Sequence, residues 1–150
     1  MDNSDLIDTL NHLVSTCKDG EFGFQSSAEH VKSENLRSVF LARAQECRQA
    51  AAELQSLIQQ HGGKPDDGGT ATGAMHRGWV AVKGTIAGYS DLAMLEECER
   101  GEDAALERYR SALEKPLQPL ERALVERQYE GVKRNHAQIR SLRDTARAMT

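Results

Sequence analysis

Cys17-Lys18-Asp19-Gly20-Glu21 and Cys98-Glu99-Arg100-Gly101-Glu102 share one pattern, Cys-x-x-Gly-Glu, and their reading decides the fold. Each copy places a glutamate where an amphipathic helix would show its core a leucine. A carboxylate on an apolar stripe is costly unless something pairs with it, and a metal ion is one such partner. The repeat therefore predicts a duplicated helix pair, and with it a metal-binding bundle.

Around the first copy, Leu10, Val14, Cys17, Glu21, Phe24 and Ala28 recur in steps of four and three, the spacing of a helix packed along another. This predicts a helix from an Asn3-Ser4 cap to about Lys32. Gly20 inside it costs about 1 kcal/mol against alanine, so it is expected to make room for a neighbour. Ser33-Glu34 reads as a tight turn and cap. A second helix then folds back antiparallel to about Gln60, where Gly62-Gly63 stops it. Its stripe runs from Phe40 through Cys47 to Ile58, with Glu46 and Glu53 on the adjacent row. Residues 61–89 form the only long connection, enough to cross the length of a bundle, and Ala74 to Lys83 within it reads as a short helix. A third helix is expected from Ser90-Asp91 to before Pro116, and a fourth from Pro119 to about Ala148. The predicted architecture is all-α: two antiparallel helical hairpins joined by one crossover, a single domain over residues 1–150.

The composition agrees. Charged residues make up 28% of the chain and there are only three prolines, which favours helix throughout. The net charge of -4 is spread along the sequence, with no basic block of the kind that binds nucleic acid. No apolar run is long enough to span a bilayer, so no membrane partner is expected. Three cysteines, an odd number, fit a reducing cytoplasm better than a disulfide framework.

Residue counting from the turns brings four polar stripe residues to one height. Glu21 lies about 11 residues before the first turn and Glu46 about 12 after it. Glu102 lies 12 beyond Ser90, and His136 lies 12 before Ala148. At about 1.5 Å per residue these agree within the error of helix boundaries. Three carboxylates and an imidazole suit iron, manganese or zinc, and an open coordination position would permit oxygen or peroxide chemistry. Glu99 and Glu53 are alternates. Glu46 is followed three residues later by Gln49, not histidine, so a mononuclear site fits better than a dinuclear one. No organic cofactor is expected.

Each residue has a bland reading beside this one. His136 reads equally as a hydrogen-bonded core histidine, and Glu99 as part of a solvated helix face. Glu46 and Glu53 could pair with Arg43, Arg134 or Arg140 across the bundle. Cys17, Cys47 and Cys98 read first as small buried apolar residues, and otherwise as thiol ligands or redox groups. His76-Arg77-Gly78-Trp79 in the crossover reads as an anchor and a solvent-facing pair. His12, His30 and His61 read as surface residues.

The stretches Cys17 to Phe24 (Cys-Lys-Asp-Gly-Glu-Phe-Gly-Phe), Met75 to Trp79 (Met-His-Arg-Gly-Trp), Glu96 to Leu106 and Glu126-Arg127-Gln128 resemble a bacterial family. That family is a ferritin-like four-helix-bundle domain of unknown function, and the resemblance covers nearly the whole chain. It implies a ferritin-like or rubrerythrin-like fold and a bacterial cytoplasmic setting. Ferritin-like relatives oxidise iron or reduce peroxide, and only Glu21, Glu46, Glu102 and His136 match as ligands. The leading expectation is a metal-binding ferritin-like bundle with an oxidase or stress-protective role. The alternative is a non-catalytic interaction protein whose carboxylates pair with arginines. A homodimer is expected in either case, with Leu6, Leu13 and Val125 offering apolar surface to bury.

Overall fold

The computed structural model describes residues 1–65 and 90–149, in which four helices form: α1 (Asn3–His30), α2 (Glu34–Gln60), α3 (Asp91–Leu113) and α4 (Pro119–Ala148). Among the described residues there is no strand, and no helix is long and apolar enough to cross a membrane. The short helix expected at Ala74 to Lys83 lies outside the described residues.

Local chemistry sets the boundaries. Asp2, one residue before the expected cap, accepts the Asp5 amide at 2.8 Å and starts α1. Ser33 and Ser90 cap α2 and α3 through the amides of Leu36 and Ala93. Pro119 opens α4, whose first turn needs no proline N–H. Helix α1 stops at His30 because Val31 turns extended. Arg37 reaches back from α2 to the carbonyls of Ala28 and Val31, at 3.1 and 2.9 Å. At the far end of α2, Gly62 adopts φ 76°, the left-handed conformation that ends a helix cheaply.

Hydrogen bonds between the ends fix the topology. Asn3 donates to the carbonyl of His61 at 3.0 Å, so α2 finishes beside the start of α1. The Asp91 carboxylate accepts the amides of Lys32 and Ser33 at 2.8 and 3.0 Å, so α3 begins beside the α1–α2 turn. Those two points lie at opposite ends of α1. Between α2 and α3 the chain therefore passes from one end of the bundle to the other, as the length of the connection predicted.

Helix α1 packs closely on α2, α3 on α4, and α1 also meets α3, whereas α2 and α4 barely touch. Two apolar clusters result. One holds Leu10, Leu13, Leu54, Ile58, Tyr109 and Val125. The other holds Phe24, Phe40, Met94, Leu95, Cys98 and Ile139. Leu6, Leu13 and Val125 are core residues, only 5%, 0% and 0% exposed, and offer no dimer surface. These residues are not a surface because α1, enclosed by both α2 and α3, buries more than one stripe, and because Val125 of α4 packs into the first apolar cluster. Among the described residues the exposed large apolar side chains are scattered: Leu41, Leu120, Met1 and Met149.

Candidate functional site

Between the two apolar clusters the bundle holds a cavity of about 340 Å³, lined on α2 and α4 where those helices stand apart. Cys17 and Gly20 of α1 form one wall, opposite Cys47 of α2. A Cβ at Gly20 would stand 2.8 Å from the Cys47 sulfur, so glycine is what lets α2 approach here. Helix α2 also contributes Arg43, Glu46 and Glu53, α3 contributes Glu102 and Tyr109, and α4 contributes Gln128, Arg134 and Asn135.

Glu102 is 5% exposed, and its Oε1 has no hydrogen-bond partner among the described residues. Burial pushes its carboxyl up to about 8; Arg43 opposes the shift, and Glu46 and Asp103 add to it. Arg43 is nearly as enclosed. One of its terminal nitrogens donates to Glu46 at 3.0 Å, but the buried Nε–H finds no acceptor among the described residues.

One end of the cavity is a hydrogen-bonded chain that touches all four helices. The Gln128 amide nitrogen donates to Glu53 at 3.0 Å and to the Ala50 carbonyl at 3.2 Å, which turns its Oε1 toward Tyr109. The Tyr109 hydroxyl donates to that oxygen at 2.8 Å. Its own oxygen is then left to accept from the Cys17 thiol, 3.2 Å away. Glu53 closes the chain on Arg127 at 2.8 Å. Burial raises Cys17 to about 11 and Cys47 well above the usual thiol range, so both are held protonated. Cys98 is separate: it donates to Ser27 at 3.3 Å inside the second apolar cluster.

Of the four residues counted to one height, the structure brings Glu46 and Glu102 to the cavity and turns Glu21 and His136 away from it. Glu21 pairs with Arg48 at 2.8 Å and Lys18 at 3.7 Å, while its neighbour Gly20 faces the cavity. His136 donates to Asp103 at 2.5 Å, while Asn135 takes the cavity wall. One residue is about 100° of rotation on a helix, which counting along the axis does not resolve. Of the alternates, Glu53 lines the cavity, but Glu99 does not. Glu99 is 8% exposed and held by Arg143 and, at 3.4 Å, by Arg140, so it is no solvated flank. Among the described residues, no three histidine, cysteine, aspartate or glutamate side chains are grouped so that they could hold a metal ion.

His61 is not a solitary surface residue. It bonds to Glu121, itself 3% exposed, at 2.6 Å, and so ties the end of α2 to the start of α4. His76, Arg77 and Trp79 lie outside the described residues. Sequence reading missed Gln128, whose only signal was its place in Glu126-Arg127-Gln128. It also missed Asp91, read merely as a helix start.

Comparison with known proteins places this geometry. The family described as a domain of unknown function, DUF2383, matches residues 5–115. No curated protein matches the chain. Among solved structures, the bacterioferritin-related protein of Bacteroides fragilis, described as a dodecameric thioferritin, is similar with a TM-score of 0.83. It is 17% identical over 99% of this chain and 90% of its own. Dps from Staphylococcus aureus follows at 0.77, 22% identical over 93% and 95% of the two chains. A C-terminally deleted Dps from Mycobacterium smegmatis scores 0.76, 19% identical over 93% and 98%. Identities this low speak for the fold alone. The chain belongs to the DUF2383 family of domains of unknown function, and its fold is the ferritin-like four-helix bundle.

Proposed function

We propose that this ferritin-like bundle binds a single transition-metal ion, iron, manganese or zinc, in the mid-bundle cavity, with Glu102 and Glu46 as its carboxylate ligands. The supporting observation is Glu102: a carboxyl buried to 5% exposure with an oxygen left without a partner. Such a group is costly to keep, and a cation would both compensate it and displace its proton. Glu46 lines the same cavity, half exposed, and its charge is felt at Glu102; its Oε2 accepts from Arg43 at 3.0 Å and Asn135 at 2.7 Å, which leaves Oε1 for an ion. A dinuclear centre does not fit these residues. Glu53 is committed to Arg127 and Gln128, Glu21 to Arg48, and Glu99 to Arg143. A bound ion with so few protein ligands would keep open positions toward the cavity, the chemistry that an oxidase or stress-protective role needs.

The chain also self-associates in this reading, with a homodimer as the smallest closed assembly; the similar Bacteroides fragilis protein is described as dodecameric. Three free cysteines favour a reducing compartment, the cytoplasm.

Metal analysis of protein purified without chelator tests the reading. Wild type should carry close to one equivalent, Glu102→Gln should lose it, and Glu21→Ala and His136→Ala should keep it. A wild type that stays metal-free after iron, manganese and zinc are each supplied would overturn it. The arginine partners of Glu21, Glu53 and Glu99 would then favour the second reading, a non-catalytic interaction protein whose carboxylates are structural.

A further inference from the structure

The cavity is larger than one metal ion requires. About 340 Å³ with apolar patches at Phe24, Ala50, Ala105 and Val132 is room for an organic molecule. Its polar groups say what kind. The Arg43 side chain is 12% exposed, and its Nε–H lacks an acceptor among the described residues. Arg134, on the opposite side of the opening between α2 and α4, makes no hydrogen bond or ion pair among the described residues. Two guanidinium groups with spare donors thus flank one cavity.

The pairing of the charged groups points the same way. Four arginines (43, 108, 127 and 134) and four acids (Asp19, Glu46, Glu53 and Glu102) line the space. Arg127 is committed to Glu53 and one terminal nitrogen of Arg43 to Glu46, whereas the Arg43 Nε–H and Arg134 keep donors for a ligand. An anionic group on an apolar body suits such a lining.

We propose that the cavity binds a small organic monocarboxylate, its carboxylate held by the Arg43 Nε–H and the Arg134 guanidinium, its apolar body against Phe24, Ala50, Ala105 and Val132. The site stands on the arginines and the cavity, and so does not depend on the metal reading. Arginine offers the planar donor geometry that a carboxylate accepts, and an enclosed guanidinium strengthens the contact.

Benzoate is the probe, with benzamide as its uncharged counterpart of the same shape. Titration calorimetry on the purified full chain, before and after chelator dialysis, should show benzoate saturating one site and benzamide binding at least tenfold more weakly. Arg43→Gln should weaken benzoate at least tenfold, and Arg134→Gln, a surface change that leaves the core intact, several-fold. Ala105→Leu, which fills the cavity, should abolish binding while helical circular dichroism is kept. Equal affinity for benzoate and benzamide, undiminished binding in Ala105→Leu, or no benzoate binding to wild type would each overturn the proposal. A wild type that binds benzoate yet takes up no supplied iron, manganese or zinc would sink the metal reading alone.

Discussion

The Tyr109 hydroxyl on α3 donates to Gln128 Oε1 on α4 at 2.8 Å, and this one bond sets the direction of a chain across the bundle. With the Gln128 amide nitrogen committed to Glu53 and Ala50, Tyr109 has a single place to put its proton. The Cys17 thiol is thereby made a donor. An amide in mid-chain does not relay a proton readily, so the chain locks the register of four helices and is no path for charge.

Tyr109→Phe keeps the ring and removes the hydroxyl. Gln128 Oε1 and the Cys17 thiol then lose their partner in a closed interior, at a cost of about 1–3 kcal/mol. Urea unfolding followed by circular dichroism should show a lower midpoint with an unchanged slope. A midpoint equal to wild type would mean that water replaces the hydroxyl at no cost.

Glu102 makes stability depend on pH in a defined window. Its carboxyl ordinarily releases its proton near 4.5, and in the fold near 8. Between those values the folded chain holds the extra proton, so this group's contribution to stability is lost as pH rises from about 5 to about 8. Denaturant midpoints at pH 5 and pH 8 should therefore fall less in Glu102→Gln than in wild type. Identical pH slopes in the two proteins would contradict the placement of Glu102.

Gly20 and Cys47 should be coupled. Gly20→Ala gains about 1 kcal/mol of helix propensity, yet its methyl would meet the Cys47 sulfur at 2.8 Å, so the single variant is expected to be destabilised. Adding Cys47→Ala removes the clash and should restore stability. A double-mutant cycle from thermal unfolding should give a coupling of about 0.5–3 kcal/mol, and additive effects would argue against close approach of α1 and α2 there.

All three thiols should be slow toward dithiobis-nitrobenzoate at pH 8. Burial pushes Cys17 to about 11 and both Cys47 and Cys98 upward, and the thiolate is the reactive form. Labelling in native buffer should lag far behind labelling in guanidinium, where three thiols react at once. Rapid native reaction would place a thiol outside the core.

Sequence alone determined the helices. The period of the apolar residues, the serines before Glu34 and Asp91, and the glycines after Gln60 act over one or two turns, and such short-range signals survive without a neighbour. The length of the connection after α2 also required the chain to change ends. What the sequence left open was rotation. Counting along a helix gives height to within a few residues, but each residue of phase swings a side chain by about 100°. Only packing decided that Gly20 and Asn135 face the cavity, while Glu21 and His136 turn to Arg48 and Asp103. Packing likewise placed Leu6, Leu13 and Val125 inside. The Cys-x-x-Gly-Glu repeat marked both walls of the cavity, but with unequal outcomes: Glu102 points in without a partner at its Oε1, and Glu21 points out to an arginine. That difference arises from contacts between residues far apart in the chain, Glu21 with Arg48 and Glu102 beside Arg43, which no local pattern encodes.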